Sequence, residues 1–318
     1  MRAPYDPIAT RRPWTLPGGA RVAVFLVVNV EEWAFDEPIP RPVLPPLPGG
    51  ARVAVFLVVN VEEWAFDEPI PRPVLPPPAG GAPPVPDVPN WAWHEYGMRV
   101  GFWRIKELLD RYGIRATLAL NASVARTYPP IVDAARAGGW EIMAHGMVQR
   151  ALTREPDERL AIRATIEAIR TATGRAPRGW LGPGLVESRE TPDVLAAEGI
   201  EYVCDWVIDD QPTELRVARG RLLAVPYTLE VNDSPLFAVQ HAPGEEFVRR
   251  ARAHFDTLYA EGATSARVMP IALHPYLIGV PHRIGLLDAA LGHIRRHDGV
   301  VFWTGEQILD WHRSRPAR

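Results

Sequence analysis

Ala51-Arg52-Val53-Ala54-Val55-Phe56-Leu57-Val58-Val59-Asn60-Val61-Glu62-Glu63 is the stretch on which the fold turns. The run Val53–Val61 is rich in β-branched residues and reads as a strand. At nine residues it falls well short of the roughly 18 needed to span a bilayer. It ends in Asn60, Glu62 and Glu63, polar groups that are costly to bury without purpose.

The same stretch occurs earlier in the chain. Leu16–Pro46 recurs unchanged as Leu47–Pro77, an offset of 31, so the segment is a tandem duplication. Two copies, each one strand and a Pro-rich loop, cannot form a solenoid with its own core. Only one can fill a given strand position. The second runs directly through Pro76-Pro77-Pro78 and Pro83–Pro89 into the helical part of the chain, and the expectation is that it forms the first strand. Residues 1–50 then make an N-terminal segment holding the first copy, and residues 51–318 a single catalytic-type domain.

Beyond residue 98 helical and strand patterns alternate. Helices are expected over Val100–Tyr112, Ile131–Ala137, Pro156–Thr173, a segment starting at Thr191 as N-cap, Glu245–Ala260 and Gly285–His297. Strands are expected over Ala116–Leu120, Trp140–Ala144, Gly179–Leu181, Glu201–Trp206, Leu222–Val225, Val268–Leu273 and Val300–Trp303. Thr304 and Gln307 form a capping box for a last helix. About seven strand-to-helix repeats predict an α/β fold, a distorted (β/α)7-type barrel, with polar residues gathered at the carboxyl ends of the strands.

The balance of 35 Lys+Arg against 38 Asp+Glu, net −3, has no basic run to hold nucleic acid or an anionic membrane. A lone cysteine, Cys204, excludes an intramolecular disulfide and a thiolate metal cluster. Arg11-Arg12 precede an apolar run, but Glu31-Glu32 stand where a signal peptide would have small residues. The expectation is a cytoplasmic protein with a small-molecule partner; a homo-oligomer is compatible.

Four strand ends carry candidate chemistry: Glu62-Glu63, His145, Asp205 with Asp209-Asp210, and His274. A carboxylate to deprotonate water, a group to hold an oxyanion and a histidine to protonate a leaving nitrogen are what amide hydrolysis needs. The competing readings are a solvated turn for Glu62-Glu63, and backbone-bonded core histidines for His145 and His274. Asp205 and Asp210 stand equally between capping and substrate binding. Trp180 is a candidate wall of a substrate pocket, against the ordinary role of core packing.

From about residue 51 to 311 the sequence resembles the polysaccharide deacetylase (NodB homology) superfamily. Glu62-Glu63 is similar to that family's Asp-Asp pair, His145 to its first metal histidine, Leu273-His274-Pro275 to its last motif and Arg178–Gly184 to its groove motif. The resemblance implies Glu62 as catalytic base, Glu63 and His145 as ligands of a divalent metal such as zinc, and His274 as general acid. The family's second metal histidine is replaced by Gln149, a poor zinc ligand. Glu95-Tyr96-Gly97-Met98-Arg99-Val100-Gly101 and Asp209-Asp210-Gln211-Pro212 look like the allantoinase-type branch, described as able to act without a metal.

The leading expectation is therefore a hydrolase of a non-peptide C–N amide bond, using Glu62, Glu63, His145 and His274. Its substrate would be a small amide, a ureide or an N-acetyl sugar. The alternative is a catalytically inactive binding protein that keeps the barrel.

Overall fold

The computed structural model describes residues 47–77 and 81–314. The chain begins with β1 (Val53–Val61), then α1 (Val88–Tyr96), α2 (Phe102–Tyr112), β2 (Thr117–Leu120), α3 (Val124–Thr127), α4 (Pro129–Ala137) and β3 (Glu141–Ala144). It continues through α5 (Glu158–Thr173), β4 (Gly179–Trp180), α6 (Thr191–Ala197), β5 (Tyr202–Val203), β6 (Thr213–Leu215) and β7 (Leu222–Ala224). The last elements are α7 (Gly244–Glu261), β8 (Arg267–Leu273), α8 (Ile284–Ile294), β9 (Val300–Phe302) and α9 (Gly305–Arg313).

The strand order is β6-β7-β5-β4-β3-β2-β1-β8, with β9 paired to the start of β1. Every pairing is parallel except β6 with β7. Beyond β8, Ala272 N donates to Val231 O and Val268 N to Asp210 O, so the sheet curls toward closure. This is the α/β fold with a distorted barrel that the alternation predicts.

The second copy of the repeat supplies β1, and the first copy lies outside the described residues. β1 is buried along its whole length because it has neighbours on both sides and packing on both faces. Its odd-numbered residues Val53, Val55, Leu57, Val59 and Val61 pack among Phe102, Ile105, Phe255 and Leu287 of the surrounding helices. Ala54, Phe56 and Val58 instead pack inward with Ala119, Met143, Tyr202 and Ile308. The period of two is thus the reason a parallel strand reads as a continuous apolar run. Each such fully buried Val, Leu or Phe contributes about 1.5–3 kcal/mol.

Several boundaries differ from the sequence reading. Thr191 is the first helical residue, not the N-cap, which is Glu190. α8 ends at Ile294, three residues early. The antiparallel β6 is too short for a periodic signal, while the Thr304–Gln307 capping box is present as expected. Leu47, placed by sequence in the N-terminal segment, packs in the inward cluster. Among the described residues no helix is long and apolar enough to cross a membrane.

Candidate active site

Strand parity builds the site. Ala119 of β2, Met143 of β3 and Ala272 of β8 face inward, so Asn121, His145 and His274, two residues on, continue inward past the strand ends. On β1, Val58 leads the same way to Asn60 and Glu62. Asn60 Nδ2 bridges to Tyr227 Oη at 3.2 Å and Leu273 O at 3.2 Å, tying β1 to β8 below the site.

Glu62 is at the centre, only 3% exposed. Its Oε2 accepts from Trp64 Nε1 at 2.9 Å, and its Oε1 accepts from Gln149 Nε2 at 3.1 Å. Oε1 also lies 3.4 Å from His274 Nε2 and 4.0 Å from His145 Nε2. Burial alone pushes the carboxyl up. His145 and His274, with the positive charges of His274 and Arg72, outweigh burial and hold it well below the usual carboxylate range.

His274 is held from behind by Asp233. The carboxylate accepts from His274 N at 2.8 Å and faces Nδ1 at 2.7 Å, so Nδ1 carries a proton and Nε2 points at Glu62. Burial lowers the imidazole, but Asp233 and Glu62 override it and push it up to about 9. His274 is therefore an imidazolium at neutral pH. His145 Nδ1 lies 2.6 Å from Leu181 O, which can only accept, so its Nε2 is the atom turned toward Glu62.

The structure gathers Glu62, His145 and His274, while Glu63 faces the other way, as parity requires. Glu63 N is held by Asn121 Oδ1 at 2.9 Å, and Glu63 lines a cleft of about 510 Å³ with Trp64, Pro69, Met147, Gln149 and Leu160. Glu62, His145 and His274 lie outside that lining; Trp64 and Gln149 connect cleft and centre. Trp180 is completely buried in a cluster with Ala144, Ile162 and Val203, so it is core and walls nothing. Asp205 accepts from Gly182 N at 2.7 Å, beside the Leu181 carbonyl that orients His145; burial and neighbouring Glu187 push its carboxyl well up. Asp210 borders a separate hollow with Thr228 and His254 near the start of β8, whereas His274 follows its end.

Sequence reasoning missed Asp233, Trp64, Arg72, His94 and Tyr276. Trp64 stacks on His94 with ring centroids 4.2 Å apart, and His94 is pushed down to about 4, chiefly by burial. Arg72 Nη1 donates to Tyr276 Oη at 2.5 Å and is close enough to Glu62 and Asp233 to interact with both charges. The Glu95–Gly101 motif has a packing reason. A Cβ on Gly97 would fall 2.5 Å from Tyr276 N, and one on Gly101 would overlap Pro275 O, so only glycines let the chain carrying His274 lie on this turn.

A divalent ion between Glu63, His145 and Gln149 does not fit this donor set. Gln149 presents its amide N–H to Glu62 while its Oε1 faces Asn121 Nδ2 at 3.4 Å. Glu63 Oε2 is buried without a partner and offers one ligand. Among the described residues, though, three ligand groups come together only at Asp256, His293 and His297, on other elements.

Comparison with known proteins agrees with this fold. Residues 94–203 match the polysaccharide deacetylase family. A Schizosaccharomyces pombe protein named "putative polysaccharide deacetylase" is 34% identical over 249 residues, 70% of this chain and 76% of the relative. Among solved structures, a PuuE allantoinase superposes with a TM-score of 0.77 at 28% identity, covering 90% of this chain and all of that one. A "probable polysaccharide deacetylase" from Pseudomonas aeruginosa PAO1 gives 0.78 at 29% identity, over 89% of this chain and all of that one. The chain belongs to the polysaccharide deacetylase family, hydrolases of non-peptide carbon–nitrogen bonds.

Proposed function

We propose that this chain hydrolyses the C–N amide bond of a small cyclic amide or ureide, without a catalytic metal. The observation that carries the reading is the centre itself: a buried carboxylate facing an imidazolium, with an amide donor where the family resemblance puts a metal histidine. The segment after β1 supports a small substrate. It folds over the site through Trp91 Nε1 to Trp64 O at 2.9 Å, Asn90 Oδ1 to Val74 N and Leu75 N, and Arg72 to Tyr276. An N-acetyl oligosaccharide would need an open groove instead.

In this mechanism Glu62 Oε1 accepts a hydrogen bond from the attacking water, which His145, 4.0 Å away, flanks. A carboxylate as stabilised as Glu62 is a weak base, so it takes the proton as oxygen adds to the carbonyl carbon and not before. Arg72 supplies a cation for the developing oxyanion. His274 then gives its Nε2 proton to the leaving nitrogen as the C–N bond breaks, and Asp233 stabilises its charged form throughout. The buried Cys204 suits a reducing, cytoplasmic setting.

Untagged protein assayed against allantoin-like ureides, cyclic amides and N-acetylated sugar oligomers tests the substrate class. Turnover of a ureide or cyclic amide is expected. Turnover restricted to the sugars would overturn the small-substrate reading, and binding of a ureide without turnover would assign the chain to the inactive, ligand-binding alternative.

A further inference from the structure

We propose that Asp256, His293 and His297 form a second site, on the opposite end of the barrel from Glu62, that takes a borderline divalent cation such as zinc and clamps α7 to the end of α8. One ligand atom from each of the three lies within 4.8 Å of the others. Zinc ligands at about 2.0–2.2 Å from the ion stand roughly 3.3 Å from one another, so small side-chain shifts complete the set. Two imidazoles and a carboxylate, with water as fourth ligand, suit zinc and exclude calcium or magnesium, which favour all-oxygen sites.

The surroundings prepare the ligands. His293 lies in the last turn of α8 and His297 in the turn that follows it, where His297 N donates to Ile294 O, and their ring centroids are 5.1 Å apart. His297 packs edge-on against Phe255 at 4.9 Å and Tyr259 at 5.1 Å. Its Nδ1 lies 3.1 Å from His293 O, so that nitrogen carries the proton and Nε2 keeps its lone pair, the tautomer a metal ligand needs. His293 Nε2 faces Asp256 Oδ1 at 2.7 Å, where a cation would replace the shared proton. Arg296, exposed and 3.4 Å from His293 Nδ1, can turn away into solvent.

The place in the fold separates this site from the catalytic one. The turn after His297 returns to the start of β1, where Gly299 O accepts from Arg52 N and Tyr259 Oη donates to Asp298 O. Glu62 follows the other end of that nine-residue strand, about 30 Å away at ~3.3 Å per residue. Occupancy therefore acts on stability and leaves the Glu62 centre alone.

The test is titration of chelator-treated, untagged full-length protein with zinc chloride, read by calorimetry and by Tm, with Co²⁺ absorption reporting the geometry. One equivalent is expected, with a Tm rise of roughly 5 °C at saturation and tetrahedral-type Co²⁺ bands. Affinity should fall at least ~10-fold in His297→Ala and in Asp256→Asn and be unchanged in His145→Ala. The metal-free Tm of each variant checks that it folds. No binding to the wild type, binding indifferent to both His297→Ala and Asp256→Asn, or binding abolished by His145→Ala would each overturn the proposal.

Discussion

Among the described residues two glutamates are buried, one at each end of the sheet, and they are partnered differently. Glu141 opens β3 at the amino ends of the strands. It accepts from Tyr202 Oη at 2.5 Å, Thr117 Oγ1 at 2.8 Å and Glu306 N at 3.0 Å, all fixed parts of the scaffold. Glu62 lies past the carboxyl ends, and two of the groups around it are histidines held in fixed orientations by Asp233 and Leu181 O. Burial, seconded by Glu306, pushes Glu141 up to about 7, whereas Glu62 is held low. A buried carboxylate surrounded by donors that cannot release a proton is structural; one facing an imidazolium can do chemistry.

The largest effect expected of a single change is on Glu62. Glu62→Gln keeps the volume and removes the base, and should lower kcat/KM by on the order of 10³-fold while the protein still unfolds cooperatively. Wild-type-like rates would erase the distinction between the two glutamates. His274→Ala should cost on the order of 10²-fold or more, measured by the same assay.

Asp233→Asn is a subtler test. His274 stays protonated only below about 9 because Asp233 and Glu62 hold its proton, so wild-type kcat/KM should fall as pH rises through about 9. The raised value also means that the stabilising contribution of His274 is complete below its unfolded value near 6.5 and is lost toward 9. In Asp233→Asn the alkaline limb should move to lower pH. An unmoved limb would show that Asp233 only packs.

Glu141→Gln should leave the rate unchanged and cost about 1–3 kcal/mol in urea denaturation, because one of three donors meets an N–H. The sign of its pH dependence separates it from Glu62. A carboxyl raised to about 7 contributes stability that is complete below 4.5 and lost as pH rises through about 7. Wild type should therefore lose on the order of 2 kcal/mol between pH 5 and 8 that the variant does not lose. The smallest effect concerns the repeat. Since β1 comes from the second copy, Glu31→Gln should leave turnover where it is, and a large loss would mean both copies act.

The strand ends were legible because parallel strands bury both faces, so any polar residue directly after them stands out: Glu62, His145 and His274 were found this way. Asp233 was not. It caps a short π-helical turn, Ser234–Val239, beside the isolated bridge of Asn232 with Ala272, too short for any periodic pattern, 41 residues before the histidine it holds. Trp64 and Arg72 belong to the segment over the site, whose prolines signal a loop without saying where it folds, and His94 to the short helix α1 that follows it. Trp180 and Asp205 looked like pocket residues because they lie at strand ends, but Trp180 is in register with Ala144, on the face opposite the inward Met143 and Leu181, so it packs against the helices.

In the proposed mechanism Glu62, His274 and Asp233 form the catalytic centre without a metal. This is tested most directly by measuring kcat/KM for a ureide substrate on protein verified metal-free by elemental mass spectrometry, with and without added zinc. Full activity is expected in the metal-free protein, with no gain in rate on adding zinc. Activity absent without metal and restored by one equivalent of zinc in a His293→Ala, His297→Ala background would contradict it.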